Sequence, residues 1–308
     1  MGDDTTEAPF TLRDGLNIAL FDWPLSSRRR PRGVVLIVHG LGEHAWRYDA
    51  LAQRLNDWGF CVRAYDQRGH GESGGAQGVL PDDDALLSDL SEVLDDTRRH
   101  LANPWACPLI LFGHSMGGLV AATFVHRNLA PVDGLVLSSP ALDAGIGPLQ
   151  KRLVRLLYRW APNLALSNGL DARQISHDAD VVQAYLQDPL VHDRVTPRLV
   201  QAIVDDGALV REQASAWRMP TLLLYAGADR CVAPAGSAAF AEPIVGLWQT
   251  QEDDGAYAHV QIAPCGANFC GTIVKTFKAG ADYKSENLGK QLVRDMAAKG
   301  NGAYEGKV

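Results

Sequence analysis

The segment Gly113-His-Ser-Met-Gly117 constrains the fold of this chain more than any other part of the sequence. It follows an apolar run, Leu109–Phe112, that is typical of a buried strand, and it leads into Gly118-Leu-Val-Ala-Ala, which is typical of a helix. A turn that joins a strand directly to a helix strains the backbone of its central residue, Ser115, so the neighbours must be small. The two outer glycines of the segment meet that requirement. The sequence therefore predicts a strand–turn–helix unit that presents the Ser115 hydroxyl at the end of a strand.

Strand-like and helix-like segments alternate on both sides of this turn. The predicted parallel strands are Val34–Val38, Cys61–Asp66, Pro108–His114, Gly134–Ser139 and Thr221–Gly227. Between the first three, Trp46–Gly59 and Asp84–Leu101 carry apolar residues at helical spacing. This repetition predicts an α/β fold with a mostly parallel sheet and helices on both faces. Leu16–Trp23 is expected to add an antiparallel edge strand.

The alternation stops after Ser139-Pro140 and resumes at Pro220, so we predict a helical insertion over about residues 141–218. An apolar stripe runs along its first helix, with basic residues between. The stripe is Leu149, Leu153, Leu156, Leu157, Trp160 and Leu164, and the basic residues are Lys151, Arg152, Arg155 and Arg159. An insertion at the carboxyl edge of a parallel sheet lies where ligands bind in such folds. Three interpretations stay open: a helix packed on the domain, a lid, or a peripheral contact with a lipid surface.

Composition excludes several other classes of protein. The net charge of −7 argues against a nucleic-acid partner, which needs a concentrated basic face. The first residues, Met1–Glu7, are acidic and lack the apolar region of a secretory signal. Uninterrupted apolar runs stay shorter than a membrane span, so we expect a cytoplasmic location.

A serine at a strand–helix turn suits nucleophilic attack on a carbonyl, provided that N–H groups nearby bind the oxyanion. One donor is expected from Met116, the residue after Ser115, at a helix N-terminus that favours negative charge. The other is expected from Leu41 in the loop after the first parallel strand, where flanking glycines let the backbone approach. His39 and His114 flank this site and are interpreted as structural.

Four segments occur in order along the chain: His39-Gly-Leu-Gly-Glu-His44, Asp66-Gln-Arg-Gly-His-Gly-Glu-Ser73, Gly113-His-Ser-Met-Gly-Gly118 and Ala228-Asp229. With these segments, residues 10–243 resemble the monoacylglycerol lipase and lysophospholipase-like branch (serine aminopeptidase S33 type) of the α/β-hydrolases. The resemblance implies an α/β-hydrolase fold whose lid covers an acyl groove. It also implies that monoacylglycerol-like or short- to medium-chain acyl esters are hydrolysed by water through an acyl-serine, with no metal or organic cofactor.

The same resemblance narrows the roles of other residues. Asp66 and Arg68 belong to a segment that is usually structural in this branch, so they are left out of the catalytic set. A dehalogenase or an epoxide hydrolase would need an aspartate as nucleophile, and Ser115 excludes that. A thioesterase or an acyltransferase stays open, because the same acyl-enzyme forms from a thioester or is intercepted by an alcohol.

In this fold the acid and then the histidine follow the nucleophile along the chain. Asp229 matches the family position of the acid, which would orient the imidazole and stabilise the imidazolium. His259 is the only histidine beyond it, thirty residues further on (259 − 229). The family leads us to expect a Gly-x-Tyr-His-Glu-like loop, whereas this chain has Gly255-Ala-Tyr-Ala-His259. His259 is therefore the candidate base, and the alternative is an ordinary strand histidine.

The composition changes near Pro243. Residues 244–308 carry seven basic and seven acidic side chains, so residues 1–243 hold the whole net charge of −7 (22 minus 29). Strand patterns such as His259–Ala263 and Gly271–Phe277 replace helical periodicity. We predict a hydrolase body over 1–243 and a β-rich segment over 244–308, in place of the last hydrolase strand and helix.

This last segment has a resemblance of its own. Gly246-Leu-Trp, Val260–Val274 and Ala303–Val308 are similar to the N-terminal part of the DUF2147 family, a small β-rich bacterial domain that is typically exported. The resemblance implies that Cys265 and Cys270 could form a disulfide, although a reducing cytoplasm should keep both as thiols. It also leaves a rival function, a catalytically impaired hydrolase scaffold that binds an acyl ligand or a partner without turnover.

Overall fold

The computed structural model describes residues 5–25, 30–241, 247–249, 256–265, 268–279, 281–300 and 303–307. The chain divides into two compact units, a first unit over Met1–Ser237 and a second unit over Ala238–Val308. The predicted junction at Pro243 lies outside the described residues. Within the described parts, no helix is both long enough and apolar enough to cross a membrane.

The described residues of the first unit form nine strands: β1 (Thr6–Thr11), β2 (Asn17–Trp23), β3 (Gly33–Val38), β4 (Phe60–Tyr65), β5 (Leu109–His114), β6 (Gly134–Ser138), β7 (Leu166–Ser167), β8 (Arg194–Val195) and β9 (Thr221–Leu224). Seven of them form one sheet in the order β1-β2-β4-β3-β5-β6-β9. From β4 to β9 the neighbouring strands of this sheet are parallel. The predicted mostly parallel α/β sheet is confirmed.

The antiparallel strand β2 is not the edge strand that the sequence predicted. It pairs with β4 on one side and with β1 on the other. Ile18 and Phe21 of β2 are both fully buried, as expected of an interior strand. The edge strand β1 is mostly exposed and contains a proline, so it carries little of the apolar signal that predicts a strand.

Seven α-helices occur among the residues that the structure describes: α1 (Asp49–Asp57), α2 (Ala85–Thr97), α3 (Met116–His126), α4 (Pro148–Trp160), α5 (Ala179–Gln187), α6 (Pro197–Glu212) and α7 (Pro234–Ala241). Every residue of β3 is buried, because helices cover both faces of the sheet. On one face, Ala52 of α1 joins a cluster with Phe21, Val35 and Ile37. On the opposite face of the sheet, α3 follows β5 without a connecting loop and packs against it.

The chain leaves the sheet after β6 and returns at β9. The interval holds α4, α5 and α6, and the short strands β7 and β8 pair antiparallel within it. α4 turns its apolar stripe outward, with Leu149 80% and Trp160 77% exposed. Its other side faces the body, where the Tyr158 hydroxyl donates to Asp83 (2.6 Å).

β9, which ends the sheet, is much less buried than its neighbours. Leu222 and Leu224 are 51% and 52% exposed, whereas Leu135 and Leu137 of the adjacent β6 are buried. In a parallel α/β sheet helices normally cover both faces. The exposed leucines of β9 therefore mark the edge of the sheet at which this helical cover ends.

The second unit is an antiparallel sheet. Its strands are β10 (Leu247–Gln249), β11 (Ala256–Cys265), β12 (Asn268–Lys278), β13 (Ala281–Asp282), β14 (Gln291–Gly300) and β15 (Ala303–Lys307), in the order β10-β11-β12-β14-β15 with β13 beside β12. The short β-rich C-terminal segment is thereby confirmed, and the predicted strands His259–Ala263 and Gly271–Phe277 lie inside β11 and β12.

Cys270 is disulfide-bonded, which differs from the thiol expected in a reducing compartment. The register of the β11–β12 hairpin pairs Cys265 with Asn268 and Ala263 with Cys270. The two cysteine backbones are therefore diagonal neighbours across the turn, a proximity that the sequence pattern alone does not reveal.

Candidate active site

Ser115 occupies a sharp turn between β5 and α3, with φ 51° and ψ −118°. A non-glycine residue at positive φ is strained and persists only where its surroundings hold it. Here the Ser115 N–H donates to the Ser138 carbonyl (3.0 Å). Its own carbonyl accepts from the N–H groups of Leu119 (3.1 Å) and Ala141 (2.9 Å). Three separate elements therefore fix the backbone of this serine.

Small neighbours are necessary at this turn, as the sequence predicted. A Cβ atom added to Gly113 would lie 2.4 Å from the Gly117 carbonyl oxygen. A Cβ atom added to Gly117 would lie 2.2 Å from the Val38 carbonyl oxygen, at the end of β3. The turn is thus pressed against the neighbouring strand with no room for a larger residue.

The loop after β3 lies directly against the nucleophile turn. A Cβ atom at Gly40 would be 3.2 Å from the Ser115 Cβ atom. The Gly40 N–H donates to Glu43 Oε1 (2.6 Å), which also accepts from the Tyr48 hydroxyl (2.6 Å). The N–H groups of Leu41 and Met116 make no hydrogen bond within the described part of the chain. The structure thus brings the Leu41 loop to Ser115 and leaves two backbone donors available for an oxyanion.

Sequence reasoning missed Glu43, although this buried residue shapes the loop. Glu43 Oε2 also accepts from Arg47 Nε (3.1 Å), so the loop is tied to the start of α1. The sequence did contain a signal for this role, because Glu43 lies three positions after Gly40 and a carboxylate at that spacing can accept from the Gly40 N–H.

The two flanking histidines have structural partners. His39 is fully buried, and its Nε2 accepts from the Gln67 N–H (2.9 Å). Its proton therefore sits on Nδ1, which donates to the Gly40 carbonyl (2.7 Å). Burial lowers the pKa of His39 to about 3, so the ring stays neutral. His114 Nδ1 lies 3.1 Å from the Ser138 hydroxyl.

Asp66 and Arg68 also act as structural residues in the described chain. The Asp66 carboxylate accepts from the N–H groups of Ala45 (2.7 Å) and Glu72 (2.9 Å). Burial raises the pKa of Asp66. Arg68 makes two hydrogen bonds to Asp89, at 2.6 and 2.5 Å. Asp66 therefore fastens the segments around Ala45 and Glu72, and Arg68 fastens the loop after β4 to α2.

Asp229 lies in the loop after β9, within the first unit. Its Oδ1 accepts from the N–H groups of Cys231 (2.8 Å) and Val232 (3.0 Å). Oδ2 makes no hydrogen bond to another described residue. One carboxylate oxygen is thus fastened to the loop, and the other remains to accept a proton donor such as an imidazole N–H.

No histidine of the first unit is hydrogen-bonded to Ser115 or to Asp229 among the described residues. His259 belongs to β11 in the second unit. There its ring lies 4.6 Å from the Phe277 ring and 6.0 Å from the Tyr257 ring. The described residues also contain no cluster of three or more His, Cys, Asp or Glu side chains able to hold a metal ion.

A mostly parallel sheet, helices on both faces and a strained serine between a strand and a helix define an α/β-hydrolase. The sequence model of the family described as "Serine aminopeptidase, S33" matches residues 29–253, and the chain belongs to this family. Residues 246–308 match the family described as "Uncharacterized protein conserved in bacteria (DUF2147)". Both resemblances drawn from the sequence are confirmed.

Relatives of known name agree with this assignment. The monoacylglycerol lipase of Mycolicibacterium smegmatis is 38% identical over 214 residues, 67% of this chain and 74% of that protein. The monoglyceride lipase of Rattus norvegicus is 30% identical over 204 residues, 65% of this chain and 66% of that protein. The crystal structure of Paleococcus ferrophilus monoacylglycerol lipase is similar with a TM-score of 0.64 and 35% identity, covering 75% of this chain and 85% of that one. Together they support a serine ester hydrolase.

Proposed function

We propose that this chain hydrolyses monoacylglycerol-like or short- to medium-chain acyl esters through an acyl-serine formed at Ser115. The observation that carries the proposal is the strained turn of Ser115 beside a loop with a free Leu41 N–H. The substrate class comes from the relatives, whose names specify monoacylglycerol or monoglyceride.

The proposed reaction uses side chains and backbone of this chain alone. Ser115 Oγ attacks the ester carbonyl carbon while His259 accepts the hydroxyl proton. The Leu41 and Met116 N–H groups bind the oxyanion. The imidazolium then protonates the departing alcohol. In the second half a water molecule attacks the acyl carbon and gives a proton to His259, which returns it to Ser115 Oγ as the Oγ–acyl bond breaks and the acid leaves. Asp229, with Oδ2 free, would orient the imidazole and stabilise its charge.

Two observations support His259 as the base. It is the only histidine after Asp229 in chain order, and among the described residues no histidine of the first unit bonds to Ser115 or Asp229. The second observation equally favours the rival function, an impaired scaffold that binds an acyl ligand without turnover. Residues 244–308, proposed to replace the last strand and helix of the hydrolase, decide between the two.

Turnover of p-nitrophenyl butyrate by the full chain tests the function. We expect wild type to be active, Ser115→Ala to fall to background, and His259→Ala to lose roughly 10³-fold or more in kcat, because triad members act as a unit. His177→Ala, at an exposed histidine of the insertion, is the matched control and should keep wild-type activity. No turnover by wild type would establish the impaired scaffold. Wild-type activity in His259→Ala would show that the base is another group.

We propose further that α4 makes a peripheral contact with a lipid surface. Its exposed stripe of Leu149, Leu153, Leu156 and Trp160 faces away from the body and is flanked by four basic residues with no acidic one. Apolar side chains with adjacent cations suit the acyl–headgroup boundary of a membrane. Trp160→Ala should therefore bind less to sedimented phosphatidylglycerol vesicles than wild type. The control is Trp58→Ala, at another exposed tryptophan, and equal loss in both variants would contradict the proposal.

We also propose a cytoplasmic location, which rests on composition. The Cys270 disulfide opposes it, because disulfides persist in oxidising compartments. Cell fractionation combined with thiol alkylation before and after reduction tests the location. Cytoplasmic protein with Cys270 alkylated before reduction would support the proposal, and an oxidised chain in an exported fraction would overturn it.

A further inference from the structure

Three buried histidines form a column of rings in tilted contact beside the Leu41 loop, each from a different segment. His39 follows β3, His70 follows β4, and His192 lies in the insertion just before β8. The rings of His39 and His70 are 5.2 Å apart, and those of His70 and His192 are 4.6 Å apart. The proposed chemistry at Ser115 uses none of these rings directly.

At its inner end the column holds Gly40. The His39 ring donates to the Gly40 carbonyl and accepts from the Gln67 N–H, so it ties the Leu41 loop to the loop after β4. His70 Nδ1 lies 3.0 Å from the Arg68 carbonyl and donates to it. The middle ring is therefore also fastened to the loop after β4.

At its outer end the column holds Gly42. The His192 N–H donates to the Gly42 carbonyl (3.0 Å), and a Cβ atom at Gly42 would lie 2.2 Å from the His192 oxygen. The His192 ring is oriented by the Arg194 N–H, which donates to its Nδ1 (3.1 Å). Leu41 therefore lies between two glycines held by residues of the column, Gly40 through the His39 ring and Gly42 through the His192 backbone.

We propose that His192 is a positioning residue for the oxyanion site: its ring, packed at a tilt against His70 and through it against His39, fixes the loop that carries the Leu41 N–H. The proposal rests on the proposed function, which gives the Leu41 N–H its role. Its physical basis is preorganisation, since an oxyanion donor is effective only when it is already aimed at the developing charge.

The column is suited to this role because its rings are neutral. Burial lowers the pKa of His39 to about 3 and also lowers the pKa values of His70 and His192. Uncharged rings pack without mutual repulsion, and the tilted ring contacts, at 5.2 Å and 59° for His39–His70 and at 4.6 Å and 43° for His70–His192, lie in the range of aromatic pairs.

Substitutions at His192 distinguish the packing of its ring against His70 from the backbone contacts of the same residue with Gly42. His192→Ala removes the ring and should lower kcat for p-nitrophenyl butyrate about tenfold, a fraction of the loss when an oxyanion donor is removed, with KM changed less than about twofold. His192→Phe keeps a flat ring and should retain kcat within about twofold. His177→Ala, at an exposed histidine of the same insertion, is the control. Equal loss in the Ala and Phe variants, or a change confined to KM, would overturn the proposal.

Hydrogen exchange gives a second measurement that does not need turnover. The Gly40 and Gln67 amide hydrogens are donated within the column region, to Glu43 and His39. In His192→Ala both should exchange faster while amides of β5 and α3 keep wild-type rates. Unchanged exchange, or equal acceleration throughout the unit, would overturn the proposal. If wild type has no turnover, the proposed function fails, and exchange alone decides the role of His192.

A variant that preserves volume guards against loss of folding. If the thermal unfolding of His192→Ala shows that it does not fold, His192→Leu replaces it, because leucine fills most of the space without a planar ring. The same fall in kcat and the same local exchange are expected from it, and wild-type behaviour in both would overturn the proposal.

Discussion

Ser115 follows β5 in the middle of the seven-stranded sheet, whereas Asp229 follows β9 at its end. The leucines of β5 are fully buried, but Leu222 and Leu224 of β9 are half exposed. The backbone of Ser115 is held by β6, α3 and the start of the insertion, whereas the Asp229 carboxylate is held by N–H groups only two and three residues away. We call the surroundings of Ser115 after β5 the nucleophile end of the sheet, and the surroundings of Asp229 after β9 the acid end. The nucleophile end is therefore fixed by long-range packing and the acid end by a local turn.

This difference coincides with the change of family along the chain. The hydrolase family matches through β9 and ends at residue 253, and the second family begins at residue 246. The proposed base, His259, lies beyond that change. Substitutions can therefore test whether the weakly packed acid end still takes part in chemistry.

The largest expected effect is loss of the acid. Asp229→Asn should lower kcat by about 10³–10⁴-fold, because an amide no longer orients and stabilises the imidazolium. The melting temperature should change little, since the loop is half exposed and its hydrogen bonds are local. Steady-state kinetics with p-nitrophenyl butyrate and a thermal melt measure both. Wild-type kcat in this variant would remove Asp229 from the site.

The next largest effect is expected from adding a methyl group to a glycine, and it should differ between the nucleophile end and the acid end. Gly117→Ala places a Cβ atom 2.2 Å from the Val38 oxygen and 2.3 Å from the His39 oxygen, so the backbone must shift at the nucleophile end. We expect a loss of about 3 kcal/mol in the free energy of unfolding together with most of the activity. Gly227→Ala, near Asp229, meets nothing within 4 Å and is the control. Equal denaturation midpoints would contradict the difference in packing.

The sequence predicted the nucleophile end well because its constraints are local. Gly113 and Gly117 lie two positions before and after Ser115, so one short segment specifies strand, turn and helix. Its wider surroundings were not predictable. Glu43 bonds to residues within five positions of itself, but its role depends on the fold of that loop against Ser115. His192 lies about 150 residues from the loop that it touches (192 − 42), so tertiary folding alone brings them together.

The sequence predicted the acid end only in part. Asp229 was identified from a strand followed by a family segment, but the length of that strand was overestimated. β9 ends at Leu224, and the loop toward Asp229 begins there. The predicted extension to Gly227 relied on apolar residues, whereas a strand that ends a sheet has fewer partners to extend it.

Leucine truncation measures the same contrast in packing energy. Leu111→Ala in β5 removes a fully buried side chain and should cost about 2–5 kcal/mol in the free energy of unfolding. Leu222→Ala in β9 removes a half-exposed side chain and should cost under about 1 kcal/mol. Urea unfolding of both variants provides the comparison. A cost for Leu222→Ala as large as that for Leu111→Ala would show that β9 is covered in solution.

The smallest effect is a dependence of the nucleophile end on pH. The pKa of His39 falls from 6.5 to about 3 on folding, and that of His70 is also lowered, so the unfolded chain binds more protons between these values. The contribution of His39 to stability is therefore complete above pH 6.5 and is lost as the pH falls toward 3, by roughly 1 kcal/mol per pH unit, and the contribution of His70 is lost in the same direction. At pH 5.5 the amides of Gly40 and Gln67 should exchange faster, relative to pH-corrected intrinsic rates, than at pH 7.5.

The Cys231 and Val232 amides, bonded to Asp229 and distant in sequence from buried histidines, serve as the internal reference. If amide exchange accelerates equally at both ends, acid loosens the whole unit. If exchange at Gly40 and Gln67 does not accelerate, the histidine column does not control the local stability of the nucleophile end.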